Sequence, residues 1–439
     1  MSRRSQALRL FVPGKNWVLS LAELAAYLEA RGVEVKAEVF SKAFFVVGVS
    51  SPEVVDVAGL GGTIKVGEVT AELDGKLVRD AFLEGEKRAQ AEIREVLSSE
   101  AVAGQMFGDG PFGKAVFGVS VYWADSDFRP VSKRVQRFVG SAVKKALAAE
   151  GKKANFMGFA RNRAYPQLSH VEVLKKNMVE NRAEVLFCVG KERTFVGVTV
   201  AVHDPFEFQK RDVGKPSQRK IFAIPPRLAR IMVNLSSCTE GKVFLDPFCG
   251  VGAILQEALL AKTKVVGVDV NRWCVEAARR NLKWLTDEYS LGSTAEYRVL
   301  QGDVHRLSAK VGREQVDCIA TEPDLGPALR QVPTTSYALR VVERLEPLYH
   351  IFLAEAYKVL RRDGQLVLVS PYVKTRSGQP VTMQVEEKAV AVGFKSVQPF
   401  RRDFFAEESA GSERLTDMVS LVDVEERHKI GRELHVFQK

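Results

Sequence analysis

No apolar run in this chain of 439 residues approaches the ~18 residues that a membrane-spanning helix needs. The opening residues, Met1 to Gln6, hold two arginines and no apolar core of the kind a secretory signal carries, so a cytoplasmic setting is expected. Cysteine is scarce and scattered. Cys188, Cys238, Cys249, Cys274 and Cys318 make neither a Cys-x-x-Cys pair nor an even framework, which argues against a disulfide scaffold and gives no support for a metal. Low hydrophobicity is not among the shortages. A hydrophobic fraction of 46% with 27% charged residues is that of a globular protein, and the length suggests two to four domains.

The net charge of +10 is unevenly placed. Residues 1–100 carry 13 Lys/Arg against 15 Asp/Glu, residues 221–439 carry 30 against 28, and residues 101–220 carry 21 against 11. The excess therefore sits in one middle segment, which is the electrostatic footprint of a polyanion-binding module rather than of an evenly solvated surface.

The chain is organised around Val243-Phe-Leu-Asp-Pro-Phe-Cys-Gly-Val-Gly-Ala-Ile-Leu255. A short apolar strand runs into a Gly-rich turn, and a helix follows with Ile254, Leu255, Ala258 and Leu259 at helical spacing. Gly250 and Gly252 remove side chains where a ligand would approach the backbone at a helix N-terminus. A second buried strand ends in Asp269, an acid suited to a pair of ribose hydroxyls, and a third ends in Asp303, placed to accept from an adenine amino group. A fourth, Val316 to Ala320, runs into Thr321-Glu-Pro-Asp-Leu-Gly326. Four strands in order, each delivering a polar residue at its carboxyl end, predict a crevice at the switch point of a doubly wound sheet.

This order resembles the class I S-adenosylmethionine-dependent methyltransferases, and Asp-Pro-Phe-Cys-Gly-Val-Gly resembles the form found in RNA N-methyltransferases. The resemblance implies S-adenosylmethionine as cofactor, with Asp246, Pro247, Cys249, Gly250 and Gly252 cradling its methionine part. It also implies Asp269 on the ribose and Asp303 on the adenine, with Thr321 flanking.

Upstream, residues 8–70 alternate as βαββαβ, a ferredoxin-like motif with a short helix expected from Pro52 to Val57. A basic helix follows from about Val131 to Glu150, with Lys133, Arg137, Lys144 and Lys145 on its polar faces and Lys152-Lys153 after it. Ser169 and Glu172 make a capping box, and Glu184 to Val189 pairs with Thr194 to Val202 as a hairpin. This arrangement resembles a THUMP domain, an RNA-binding module of tRNA-modifying enzymes. It implies that Lys133, Arg137, Lys144, Lys145, Lys152, Lys153, Arg161 and Arg211 contact tRNA, held by its acceptor end.

The expected fold is thus α/β. It has a ferredoxin-like segment (1–72), a THUMP α+β domain (73–203), a linker (204–225) and a Rossmann-like methyltransferase domain (226–439). The linker and cofactor motif together resemble the THUMP-bearing tRNA guanine-N2 methyltransferases.

One motif departs from that family. Amino-directed methyltransferases end the fourth strand in Asp/Asn-Pro-Pro-Tyr/Phe, where this chain has Glu322, Pro323, Asp324 and Leu325. The carboxylate survives one methylene longer, and the ring that would stack on an extruded base, worth ~1–3 kcal/mol, is gone. The leading expectation is methyl transfer to an exocyclic amine, guanine N2, in tRNA, with Glu322 to Leu325 forming the target pocket. The alternatives are a tRNA-binding protein that keeps the cofactor pocket without catalysis or needs a protein partner, and a DNA amino-methyltransferase.

Overall fold

Alternating apolar residues in the first half, and apolar runs separated by amphipathic helices in the second, build two eight-stranded sheets. The computed structural model describes residues 6–107, 115–159, 163–219, 224–292, 295–406 and 411–439.

The first half contains β1 (Ala7–Pro13), α1 (Trp17–Glu29), β2 (Val35–Phe40), β3 (Phe45–Val49), β4 (Thr63–Asp74), α2 (Gly75–Arg79) and α3 (Lys87–Leu97). It continues through β5 (Ala115–Trp123), α4 (Ser132–Ala149), β6 (Ala154–Phe156), α5 (His170–Lys175), β7 (Glu184–Val189) and β8 (Arg193–Val202). Its strands lie in the order β2-β3-β1-β4-β8-β7-β5-β6, so the ferredoxin-like segment and the basic segment share one sheet. Strand β4 is the seam. It pairs with β1 at one edge and then with β8 from Lys65 to Asp74, so the expected boundary at residue 72 falls inside a strand. At that seam the fully buried Lys65 ammonium pairs with Glu184 and donates to the Leu168 carbonyl at 2.8 Å. Ser120 and Thr199 hydroxyls satisfy the remaining carboxylate lone pairs.

The helix expected from Pro52 to Val57 is instead two single turns, Pro52–Val54 and Val57–Gly59. Val55 between them is extended, and the Asp56 carboxylate starts the second turn by accepting from the Ala58 N–H at 2.9 Å. The capping box at Ser169 and Glu172 forms with both reciprocal bonds.

The second half begins with α6 (Pro205–Val213), within the segment expected to be an irregular linker. Asp204 caps it and Pro205 occupies its first turn, a local start signal that outweighs the absence of long periodicity. Then come α7 (Pro226–Leu235), β9 (Val243–Asp246), α8 (Ala253–Leu260), β10 (Lys264–Asp269), α9 (Arg272–Glu288), β11 (Tyr297–Gln301), α10 (Leu307–Val311) and β12 (Val316–Thr321). The chain ends with α11 (Thr335–Val359), β13 (Leu360–Val373), α12 (Val385–Val392), β14 (Lys395–Ser396), α13 (Ser412–Thr416), β15 (Ser420–Asp423) and β16 (Ile430–Gln438).

The order β11-β10-β9-β12-β13-β16-β14 is a doubly wound sheet, parallel from β11 to β13, with β16 antiparallel between β13 and β14. Chain direction reverses between β9 and β12, and a ligand crevice opens beyond the carboxyl ends of strands at such a point. The N-terminal sheet docks on this domain through α1 against α7, within a shared apolar core. The buried Glu23 carboxylate holds that contact, accepting from the N–H groups of Gly61 (2.7 Å) and Gly62 (2.6 Å) and from the Asn234 amide (2.7 Å).

Candidate active site

Strand β9 delivers Asp246 to the buried end of the crevice. Its carboxylate accepts from the Thr321 hydroxyl at 2.6 Å, at the end of β12, and from the Phe248 N–H at 3.2 Å. The turn that follows needs two left-handed residues, Gly250 (φ +51°) and Gly252 (φ +87°). A Cβ on Gly252 would stand 3.3 Å from that of Ala278, so this glycine also lets α8 and α9 approach. A Cβ on Gly250 would meet nothing, because that side opens into the cleft. The Gly250 N–H donates to Asp269 at 2.9 Å, and the other oxygen of Asp269 accepts from Asn271 N–H at 2.8 Å. One carboxylate thereby ties the turn to the end of β10.

The cleft has a volume of about 430 Å³. Asp246, Asp269, Glu322 and Asp324 line it, with Phe248, Cys249, Val270 and Leu325, and Arg219 is the one cation among its described lining residues. Burial is the first cause that lifts the Asp246 carboxyl, to about 7, and the charges of Asp269 and Glu322 add to it. Thr321 and the Phe248 N–H work the other way. A cluster of carboxylates in a largely apolar cleft favours a cationic ligand.

Glu322 is held from behind. Arg432 on β16 donates through Nε to one of its oxygens at 2.5 Å and through Nη2 to the other at 3.3 Å. The two side chains are 11% and 12% exposed, so this pair is sheltered from solvent. Glu322 lines the cleft while Arg432 does not. The next residues are equally fixed. Asp324 accepts from the Gly326 N–H at 2.9 Å, closing a turn at Gly326 (φ +106°). The fully buried Tyr349 hydroxyl lies 3.1 Å from the carbonyls of both Asp324 and Val369, sharing its one proton between them.

The structure gathers Asp246, Cys249, Gly250 and Asp269 with Glu322, Pro323, Asp324 and Leu325 around one cleft. Pro247, Gly252 and Thr321 stand behind it as supports and are not lining residues. Asp303 departs from its expected role. It caps the turn after β11, accepting from the N–H of His305 at 2.9 Å and lying 2.6 Å from its ring, outside the cleft lining. Arg211 is a second correction. It is 4% exposed and its Nε donates to Glu257 at 2.6 Å, so it braces the catalytic domain and cannot meet RNA.

On the basic helix, Lys133, Arg137, Lys144 and Lys145 are exposed, as is Lys153 beyond it. Lys152 is half-buried, bonded to the Met106 carbonyl. Arg161 lies outside the described residues. Sequence reasoning passed over Arg219, Phe248, Val270 and Arg432 as site residues. Only Val270, next to the strand-end acid, carried a local signal.

Residues 216–393 match a family model described as "RMKL-like, methyltransferase domain". That segment belongs to the methyltransferase family. Residues 119–280 also match a model described as DNA methylase, a span that starts inside β5 and ends inside α9 and so follows no folded unit. A tRNA (guanine(10)-N2)-dimethyltransferase of Methanothermobacter thermautotrophicus is 35% identical over 161 residues, 36% of this chain and 42% of the relative. The enzyme of the same name from Pyrococcus abyssi is 29% identical over 202 residues, 46% of this chain and 55% of the relative. The chain thus spans about half the length of the curated relatives it matches. Among solved structures, TrmN from Thermus thermophilus aligns over 98% of this chain and 99% of its own, with a TM-score of 0.52 at 18% identity, a likeness of fold.

The cofactor of such a methyltransferase domain is S-adenosylmethionine, and the residues present fit it. The cleft is acidic, as a ligand bearing a sulfonium and an ammonium requires, and its glycine-lined side is open at Gly250.

Proposed function

We propose that this chain is a cytoplasmic enzyme that transfers a methyl group from S-adenosylmethionine to the N2 amine of a guanine in tRNA. The observation that carries this reading is Glu322. It stands at the end of β12, in the same cleft as Asp246 and Asp269, with its carboxylate held by Arg432. The names of the curated relatives supply the base and the RNA.

The bound cofactor supplies a methyl group activated by a sulfonium, and the chain's residues supply position. Asp246 holds the ammonium, and Arg219 faces the cofactor's carboxylate. Asp269 keeps lone pairs free for ribose hydroxyls. Val270, 68% exposed beside it, offers an apolar surface for the adenine face. Glu322 accepts an N–H of the target amine and leaves the nitrogen lone pair aimed at the methyl carbon. As the N–C bond forms and the C–S bond breaks, Glu322 is placed to receive the surplus amine proton.

The Asp246 carboxyl sets a pH dependence. Its folded value lies above its ordinary one, so its protonation favours the folded protein at low pH. That contribution is lost as pH rises through about 7. The ionised form is the one that attracts an ammonium. Affinity for S-adenosylhomocysteine, which keeps that ammonium, is therefore expected to rise about tenfold per pH unit up to about 7. It falls again above ~8, where an α-amino group loses its proton. Calorimetric titration from pH 5.5 to 9 would show this, and a flat profile would remove Asp246 from the ammonium site.

Residues 73–203 are read as the THUMP module that holds tRNA by its acceptor end, supported by the exposed stripe on α4. Changing Arg137, Lys144 and Lys145 together to Glu is expected to weaken tRNA binding by roughly a hundredfold. The slope of log K against log salt should flatten by about 2, with cofactor affinity unchanged. An unaltered slope would place the RNA elsewhere.

Leu325 and Asp324 favour a second reading, a tRNA-binding protein that holds the cofactor without transferring its methyl group, since Phe248 is the one aromatic ring among the described lining residues. Incubation of the purified chain with bulk tRNA and radiolabelled cofactor separates the two. Label recovered as N2-methylguanosine supports the enzyme. Bound cofactor with no label in any tRNA supports the second reading, and label appearing only in DNA would overturn both.

A further inference from the structure

The geometry points to Glu322 as the residue that selects guanine among the amine-bearing bases, with Arg432 as the positioning residue that holds it as an acceptor-only group. This inference rests on the amine-methyltransferase reading and names what the same cleft discriminates.

A base turned into the cleft presents its Watson–Crick edge. In guanine the amine lies beside a ring N1–H, so two donors stand side by side. In adenine and cytosine the amine lies beside a ring nitrogen with a bare lone pair, a donor next to an acceptor. A carboxylate has acceptors and no donor, whereas an Asn or Gln amide offers one of each. A carboxylate opposite the amine therefore accepts from guanine twice and repels the ring nitrogen of adenine or cytosine. An amide would not discriminate in this way.

Two features of this chain make Glu322 act as a carboxylate with a set direction. Arg432 takes one oxygen through Nε at 2.5 Å and reaches the other only at 3.3 Å, which leaves that second oxygen with a lone pair to offer the cleft. The guanidinium also comes from a fixed place. It sits on β16, whose Arg432 is in register with Pro371 of β13 and Asp423 of β15. The longer Glu side chain has one more rotatable bond than Asp, and the two-point grip removes that freedom. Burial disfavours the Arg432 charge, but Glu322, Asp423 and Glu425 together hold it in the charged state.

The test uses a tRNA transcript whose labelled guanine, once mapped, is replaced by 2-aminopurine. That base keeps the same exocyclic amine, lacks the N1–H and adds no bulk. With the full-length protein, transfer to 2-aminopurine is expected to be at least about a hundredfold slower than to guanine, because a site built for an N–H rejects an analogue without it. Glu322→Gln, which can donate to the bare nitrogen, is expected to shrink that ratio below about tenfold while slowing transfer to guanine. Arg432→Lys should retain more of the discrimination than Arg432→Met, with cofactor KM the same in both. Wild-type transfer to 2-aminopurine within threefold of guanine would overturn the inference and leave the methyltransferase reading standing. No transfer even to the guanine transcript would instead sink that reading and the inference with it. The wild-type comparison decides the matter even where a variant fails to fold.

Discussion

Glu322→Ala is expected to reduce methyl transfer to tRNA by roughly 10²–10⁴-fold, the range over which a positioned acid–base group contributes, while cofactor affinity stays within about threefold. The separation follows from where the carboxylate points. It lines the target end of the cleft, whereas the turn that would cradle the cofactor is tied together by Asp246, Thr321 and Asp269 without it. The same substitution leaves the sheltered Arg432 guanidinium without its partner, and breaking such a pair costs about 3–5 kcal/mol. Lost activity and lost stability therefore arrive together in the single variant, and a second change pulls them apart. In Glu322→Ala with Arg432→Met, no charge remains to be compensated, so the melting temperature should recover most of the loss. Activity should not recover. If the double variant regains transfer along with stability, Glu322 serves only the fold.

Much of this site was readable because each strand-end acid sits in chain order next to its own strand. Asp246, Asp269 and Glu322 could be placed on one sheet edge from local pattern alone, and they meet in one cleft. The partners could not be read the same way. Arg432 lies 110 residues beyond Glu322 on an antiparallel strand, and no local periodicity encodes which cation reaches back to a given carboxylate. Arg211 looked like a surface cation in a basic stretch because its partner, Glu257, is 46 residues away on another helix. The single sheet spanning both N-terminal segments is likewise a matter of pairing at a distance, β4 with β8, that alternation in either strand leaves open. Two misses were legible after all. Asp204-Pro205 is a helix start, and Asp303 two residues before His305 is a turn cap, and both signals are local.

Glu257 carries the largest stability prediction. It is fully buried on α8 and accepts from two guanidinium groups, Arg211 of α6 through Nε at 2.6 Å and Arg230 of α7 through Nε at 2.9 Å. Both arginines are buried, and a Tyr289 hydroxyl accepts a further Arg211 N–H at 3.2 Å. One negative charge therefore compensates two positive ones in the interior. Glu257→Ala strands both, so the cost should reach or exceed the ~3–5 kcal/mol of a single broken pair. For a domain of this size that corresponds to a fall of about 10 °C or more in Tm. Glu257→Gln should do little better, because its amide keeps one acceptor and turns an N–H₂ toward a guanidinium. The loss should extend to the site, because α8 rises directly from the Gly-rich turn and the chain leaving α6 carries Arg219 to the cleft. Cofactor affinity measured well below the lowered Tm is therefore expected to drop as well. A Gln variant as stable as the wild type would show that volume, and not charge, holds these three helices together.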